Sequence, residues 1–443
     1  MDVADIIVLG ATGFTGRMIT DYLAHHPQRA TFTFSVAGRS QGKLDALKKQ
    51  YRLDDSVRLV RLDVTKQDEL EEAVKSARVV ISTVGPYIFW GEAVFSACIK
   101  YRRHYVDLCG ETPWIREMVI KYDYVAAKAG VVLVPSCGFD SVPADLTVFL
   151  SNKTLKAAAG LDASLGDSLT VYRVNGGLSG GTMASALAIA ENIPLEKIGE
   201  ANADYAFCPA RGKSGSKERL WYKVPLSEPT RYAMSWFMAA GNRAIVQRSW
   251  ALNVVDAAAA KGSGQAGEEK ARSLYGPEFT YDECAEQWPA TGVLGWLGVA
   301  SASLAFTIVS ALVLFTPPFR WLLKRLAIPP GEGPSEEKMK NGFCEITNYS
   351  QSARTPGTPA VHVKTVLRGQ GDPGYLLTSK MISECALALA LERSALPWRA
   401  QEGGVLTPAT AFGDVLVRRL EATGVFQFES GVVAPEAESR KQR

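Results

Sequence analysis

Residues 5–16, DIIVLGATGFTG, decide the fold. Ile6 to Leu9 is an apolar run of strand length, and Gly10, Gly13 and Gly16 follow at GxxGxxG spacing. From Phe14 to His26 the apolar residues Phe14, Met18, Ile19, Tyr22 and Leu23 recur at the period of a helix. A strand, a glycine turn and a helix in that order make a phosphate loop. Gly10 permits the tight turn, Gly13 lets the backbone approach a pyrophosphate, and Gly16 lets helix and sheet pack closely. The N–H groups at the helix start, from Phe14 on, face the phosphate charge, and Thr12 and Thr15 add hydroxyl donors.

Working outward, residues 1–150 alternate strand and helix: strands near 31–37, 57–62, 78–83, 104–108 and 131–134, with helices at 40–51, 66–77, 91–103 and 113–129 between them. Six strands with short connections predict a doubly wound parallel sheet, a Rossmann domain. Its second strand ends in Ala37-Gly38-Arg39-Ser40. A site for NAD usually has an acid there to hold both ribose hydroxyls. Arg39 instead suits a 2′-phosphate, with Ser40 and Lys43 assisting, so the expected cofactor is NADP(H). Asp63 and Val64 end the third strand, where adenine is contacted. Thr83, Gly85, Pro86 and Tyr87 end the fourth, beside the nicotinamide pocket.

Beyond residue 150 the alternation stops. The expected organisation is a second, mixed α+β domain over 151–430 with an apolar, membrane-associating insertion at about 287–325. A disordered tail is expected at 431–443. Strands are expected at 169–175 and 361–368, helices at 183–192, 374–394 and 407–423, and a surface loop at 256–270. Residues 293–315 are uncharged throughout, long enough to cross a bilayer, with Trp296 and Trp321 near the ends and Arg320, Lys324 and Arg325 following. Because the later strands must complete a sheet begun before it, the segment is expected to enter one leaflet as a hairpin or in-plane helix. The partner is then a membrane or lipid surface facing the cytosol. A cytoplasmic location is the alternative.

Several classes are excluded. A net charge of +3 on 443 residues gives no nucleic-acid footprint. Seven scattered cysteines predict reduced thiols, and four histidines without metal-ligand spacing predict no metal site. The N-terminus shows no secretory pattern.

The motifs GATGFTG, AGRS, STVGPY, HYVDLCGE (104–111) and SCGFDSVPADL (136–146) resemble the saccharopine dehydrogenase-like oxidoreductases. That family includes the mycobacterial trans-acting enoyl reductases, and its animal members are associated with lipid droplets. NGGLSGGTMAS (175–185), GYLLTSKM (374–381) and GVLTPATAFGDVLVRRLEATG (404–424) extend the likeness, which weakens over 195–345. It implies NADP(H)-dependent hydride transfer to an apolar, lipid- or polyketide-like substrate, and a last helix packed back on the first domain. It also implies that Gly138, Phe139, Asp140 and Ser141 lie beside the nicotinamide, with Ser141 capping the next helix. Gly180, Gly181 and Thr182 would form an oxyanion or carboxylate nest. No catalytic residue is singled out, and a homodimer is left open. Two alternatives stand beside this reading. One is a non-catalytic nucleotide-binding protein anchored at a lipid surface. The other is a short-chain-dehydrogenase-like reductase using the YxxxK pair Tyr124 and Lys128.

Overall fold

β1 (Ala4–Leu9) has no exposed side chain from Ile6 to Leu9, which requires a central strand covered on both faces. Each such side chain contributes about 1.5–3 kcal/mol of burial. A computed structural model describes residues 3–434 apart from 178, 216–218, 260–264, 327–328, 330 and 355. In it β1 is an interior strand of a seven-stranded parallel sheet. Its neighbours on one side are β2 (Phe34–Gly38) and β3 (Arg58–Arg61). On the other side come β4 (Ala77–Ser82), β5 (His104–Asp107) and β6 (Val132–Val134). The crossovers are α1 (Phe14–Ala24), α2 (Gln41–Gln50), α3 (Gln67–Lys75), α4 (Tyr87–Lys100) and α5 (Thr112–Ala129). The order 3-2-1-4-5-6 reverses between β1 and β4, and the crevice at that reversal is where such sheets bind dinucleotides.

α6 (Ser141–Ala159) leads to a second seven-stranded sheet and contains residue 150. Its strands are β7 (Leu165–Asn175), β8 (Trp221–Lys223), β9 (Arg231–Ser235), β10 (Thr280–Thr291), β11 (Phe343–Ser352), β12 (His362–Gln370) and β14 (Phe426–Val433), in the order 14-12-11-7-10-9-8. β7 and β10 pair parallel and the other neighbours antiparallel. β13 (Gly404–Val405) instead joins β6 at the edge of the first sheet. The helices are α7 (Gly180–Asn192), α8 (Leu195–Asn202), α9 (Ala239–Ala259), α10 (Gln265–Ser273), α11 (Gly292–Phe315), α12 (Pro317–Leu326), α13 (Glu336–Lys340), α14 (Thr378–Leu391), α15 (Trp398–Glu402) and α16 (Pro408–Ala422).

Four expectations are corrected. The expected surface loop at 256–270 is mostly the end of α9 and α10, and 260–264 lie outside the described residues. The expected disordered tail begins too early: 431–433 finish β14, paired with β12, while 435–443 lie outside the described residues. α7 starts at Gly180 and not at Met183. The helix lying over β1, β4 and β5 is α14, and α16 packs on α14 and α6, reaching the first sheet only near β6. A buried ionic group fixes this layer. Glu384 of α14 accepts from Arg419 Nε of α16 at 2.7 Å and meets His26 Nε2, just after α1, at 2.9 Å.

Among the described residues two helices are long and apolar enough to cross a membrane. The one over Pro373–Leu391, a π-helical turn continued by α14, is 78% buried and is a core helix; α11 is 11% buried. α11 packs on β9, β10 and α7 along one side and leaves Leu294 84% exposed and Phe315 65% exposed. β10 leads into it and β11 resumes afterwards, both hydrogen-bonded to β7, so the excursion leaves and re-enters one sheet.

Candidate active site

The glycines of the phosphate loop serve distinct ends. Gly10 has φ +80°, and a Cβ there would lie 2.7 Å from Thr83 Oγ1. Gly16 sits so close to the turn that a Cβ would be 2.2 Å from the Gly10 carbonyl oxygen. Gly13, the N-cap of α1, has an ordinary φ of −74°. A Cβ there would crowd the Gly10 carbonyl oxygen at 3.2 Å, and its bareness also leaves space outside the chain, over N–H groups of α1 that have no intrahelical partner. Thr83 donates to Leu9 O at 2.9 Å and ties the ends of β4 and β1 together at the crevice.

At the adenosine end, Ser40 caps α2 by accepting from Lys43 N at 3.4 Å. Arg39 and Lys43 are exposed, and among the described residues neither side chain has a hydrogen-bond or ion-pair partner. Two unpaired cations at the tip of β2 fit a 2′-phosphate. Asp63 accepts from Thr65 N and Oγ1 at 3.1 and 2.8 Å, which holds its pKa below the ordinary value, and Val64 is half-buried beside it. Pro86 caps α4 after a cis peptide bond from Gly85. Tyr87 is buried, and its hydroxyl donates back to Ser82 O at 2.9 Å, so it faces the core.

The second domain closes on this loop. The Phe14 ring meets Tyr375 edge-on at 5.2 Å. Tyr375 accepts at its hydroxyl from Ser179 N and lies 2.9 Å from Thr182 Oγ1. Gly180 N donates to Glu332 O at 3.2 Å, and Thr182 N to Ser179 Oγ at 3.4 Å. Three N–H groups of the Ser179–Thr182 turn are thus engaged by the protein itself, and Gly181 is the exposed one of its two glycines. The strand of chain carrying Gly331–Pro334 passes over the gap: Arg17 donates to Gly331 O at 3.0 Å, and a Cβ on Gly333 would press on the Phe14 ring.

On the far wall, Gly138 lies close to Thr378, and Phe139 N donates to Thr378 Oγ1 at 2.9 Å. Asp140 has φ +80° and ψ −72°, a conformation that costs a residue other than glycine about 1–3 kcal/mol. Its Oδ1 accepts from Trp236 Nε1 at 3.0 Å, and burial raises its pKa to about 7. Ser141 does not cap α6: Asp140 holds the N-cap position, and Ser141 Oγ donates to Asn242 Oδ1 at 3.0 Å. Behind Asp140, Tyr172 donates to the Asp140 carbonyl at 2.8 Å and stacks on Trp236 at 4.9 Å. Glu283, which accepts from Asn242 at 3.0 Å, is raised by burial to about 8.

Residue patterns alone did not single out Glu111, Tyr375 or Trp236. Glu111 accepts from Tyr87 N, Ile88 N and Ser185 Oγ at 2.9, 2.8 and 2.7 Å, and so joins α4 to α7 across the crevice. It and Tyr375 lie inside quoted motifs, but a long-range partner leaves no mark in local spacing. Tyr124 is 73% exposed on α5 with Lys128 over its ring, which removes the YxxxK reading. Among the described residues no cluster of His, Cys, Asp or Glu could hold a metal, and all seven cysteines are free thiols.

A reversing parallel sheet, a bare phosphate loop and an unpaired arginine where NAD sites carry an acid define an NADP(H)-dependent oxidoreductase. Residues 6–134 match the saccharopine dehydrogenase NADP-binding domain. The chain is 34% identical to a provisionally named trans-acting enoyl reductase of Mycobacterium tuberculosis, covering 95% of this chain and 96% of that one. It is 31% identical, with the same coverage, to the trans-acting enoyl reductase of Mycobacterium ulcerans. Apo saccharopine dehydrogenase (L-Glu forming) from Saccharomyces cerevisiae shares the fold, with a TM-score of 0.51 and 16% identity over 97% of this chain and 100% of that one. The chain belongs to the saccharopine dehydrogenase-like oxidoreductases, in the group that holds the trans-acting enoyl reductases.

Proposed function

We propose that this chain reduces the carbon–carbon double bond of an enoyl lipid or polyketide-like acyl substrate, working at a lipid surface. The observation that carries the reading is the exposed apolar helix α11, packed on α7, whose first turn borders the crevice. The exposed apolar helix packs on α7, whose Glu191 is paired with Lys324 at 2.8 Å, and the first turn of α7 lies against Tyr375 and Phe14. The family relatives named enoyl reductase point to the same chemistry.

The glycine loop would hold NADPH, with Arg39 and Lys43 at its 2′-phosphate, and the cofactor would supply the hydride taken up by the β-carbon. The α-carbon then needs a proton. Asp140 is the group this chain offers for it: a carboxyl with a pKa of about 7 keeps much of its proton at neutral pH, and Trp236 and the strained turn hold it in place. Gly138 lets backbone come close, and Phe139 gives an apolar wall.

The lipid surface rests on α11 and α12. At 1.5 Å per residue the 24 residues of α11 reach about 36 Å. Apolar exposure on that scale is more than a monomer ordinarily leaves in water. Return of the chain to β11 argues for insertion into one leaflet. Purified protein should consume NADPH with enoyl or carbonyl lipids. Turnover of small polar amino acids such as saccharopine, with none of the lipids, would overturn the proposal.

A further inference from the structure

A second cavity, of about 400 Å³, opens at the far end of α6. Asp140 and Lys156 stand at opposite ends of that helix, about 24 Å apart at its rise per residue, so the cavity is remote from the crevice. Its walls come from α6, α9, α10, α15 and α16, and α16 is broken there at Gly413, with φ +49° and ψ −130°.

The lining pairs cations with apolar surface. Lys153, Lys156, Lys270, Arg272 and Arg399 face Asp256 and Asp414, an excess of three positive charges. Lys153 is neutralised by Asp414 at 2.5 Å, Arg399 by Asp256 at 2.8 Å, and Arg272 by Glu268 at 2.6 Å. Among the described residues Lys156 and Lys270 form no close ion pair, although the charge of Asp162 acts on Lys156 and that of Lys270 on Asp256. Lys270 lies over the Trp398 ring at 3.5 Å. Lys156 is 7% exposed, and its ammonium donates only to the carbonyls of Leu161 and Ala163, at 2.8 and 3.1 Å. One donor of three is left over, and burial pulls its pKa below the ordinary range. Tyr275 also lines the cavity, and its buried hydroxyl has no hydrogen-bond partner among the described residues. Phe149, Phe412 and Trp398 supply apolar wall. A buried cation with a spare donor and no close carboxylate, and an orphaned hydroxyl in the same aromatic-lined cavity, are a costly arrangement unless an anion completes it.

We infer that this cavity is a second ligand site, for a carboxylate with an apolar tail, held by Lys156 and Tyr275 at its head and by Phe149, Phe412 and Trp398 along its body. The volume lies within the range of small-molecule sites. The inference is independent of the reaction proposed at the crevice.

The test uses sodium octanoate on the full chain, read by calorimetric titration and by thermal shift, with octanol and inorganic phosphate as separate probes. Octanoate should bind and raise the melting temperature in the presence of saturating NADPH. Octanol and phosphate, which have only half of the required chemistry, should bind at least about tenfold more weakly. Tyr275→Phe removes the hydroxyl without changing volume, and Lys156→Met removes the charge. Each should weaken octanoate about tenfold or more and leave NADPH affinity unchanged. If Lys156→Met fails to fold, Tyr275→Phe and Trp398→Ala carry the test. Absence of octanoate binding, equal binding of octanol, unaltered affinity in the variants, or displacement of octanoate by NADPH would each overturn the inference.

Discussion

At the scale of single residues, the phosphate loop separates binding from folding. Gly13→Asp places a carboxylate over the α1 N-terminus at a backbone conformation any residue adopts, with its Cβ 3.2 Å from the Gly10 carbonyl oxygen, so NADPH binding should vanish while the fold survives with a small drop in melting temperature. Gly16→Ala forces a Cβ against backbone and should lower stability by about 1–3 kcal/mol, as overpacking does. Titration calorimetry and thermal melts of both variants check the pair. Unchanged NADPH affinity in Gly13→Asp would make the loop merely structural. Arg39→Ala removes a charge-assisted contact worth about 1.5–3 kcal/mol, so NADPH should weaken about ten- to a hundredfold and NADH hardly at all. Equal losses for both cofactors would contradict the role given to Arg39. Asp140→Asn should cost about a hundredfold or more in turnover with NADPH affinity intact. The wild-type rate should fall as pH rises through about 7, because the proton donor is lost, and the variant should lack that limb. Gly10, Gly16 and Arg39 were legible because their reasons are local: a turn, a close approach, a missing acid. Ser141 was misjudged because its partner, Asn242, lies 101 residues away.

At the scale of elements, the parallel sheet was readable because each strand is short, apolar and followed by a helix of regular period. Of the second sheet only β7 and β12 were. β8, at the edge, and its neighbour β9 are short, and β7 and β11 carry polar residues that pair inward, such as Asn348 with Ser168 and Thr170 at 2.8 and 3.0 Å. Alternation fails where polar side chains are buried and mutually satisfied. α9 and α10 defeated the loop expectation because alanines, glycines and charges at 256–270 look the same in a helix and in a loop. α11 was visible as an apolar stretch, but only the structure shows that it is outside the core. Leu294→Glu and Phe315→Glu, both at exposed positions, should leave the melting temperature within about 1 °C, since surface changes cost little. They should also reduce co-sedimentation with phosphatidylcholine–phosphatidylglycerol vesicles. Retained sedimentation would remove α11 from the lipid contact.

At the scale of the molecule, carboxyls are buried within and between the two domains. Asp107 and Asp140 are raised by burial to about 7, Asp145 to about 6 and Glu283 to about 8. Asp145 accepts from Ser249 Oγ and Ala409 N at 2.6 and 2.7 Å, linking α6, α9 and α16. A raised carboxyl holds its proton in the folded chain and loses it in the unfolded one. Its contribution is complete below the unfolded value, near 4, and is lost as pH rises through the folded value. Stability should therefore fall from about pH 5 to pH 8, and a melting temperature that rises over that window would contradict these assignments. Glu384 runs the other way. Burial would raise it, but His26, Arg419 and Tyr22 outweigh burial and lower it, so its effect is confined to acid below that window. The central claim is that the crevice transfers hydride from NADPH to an enoyl carbon. The most direct measurement is one turnover of an enoyl thioester with NADPH deuterated on the transferable face of the nicotinamide, in ordinary water, with product analysis by mass spectrometry. The account predicts a saturated acyl chain carrying one deuterium on the β-carbon and a solvent-derived hydrogen on the α-carbon. Bound NADPH that leaves every enoyl and carbonyl lipid unreduced, or deuterium appearing only in a small polar amino acid, would contradict it.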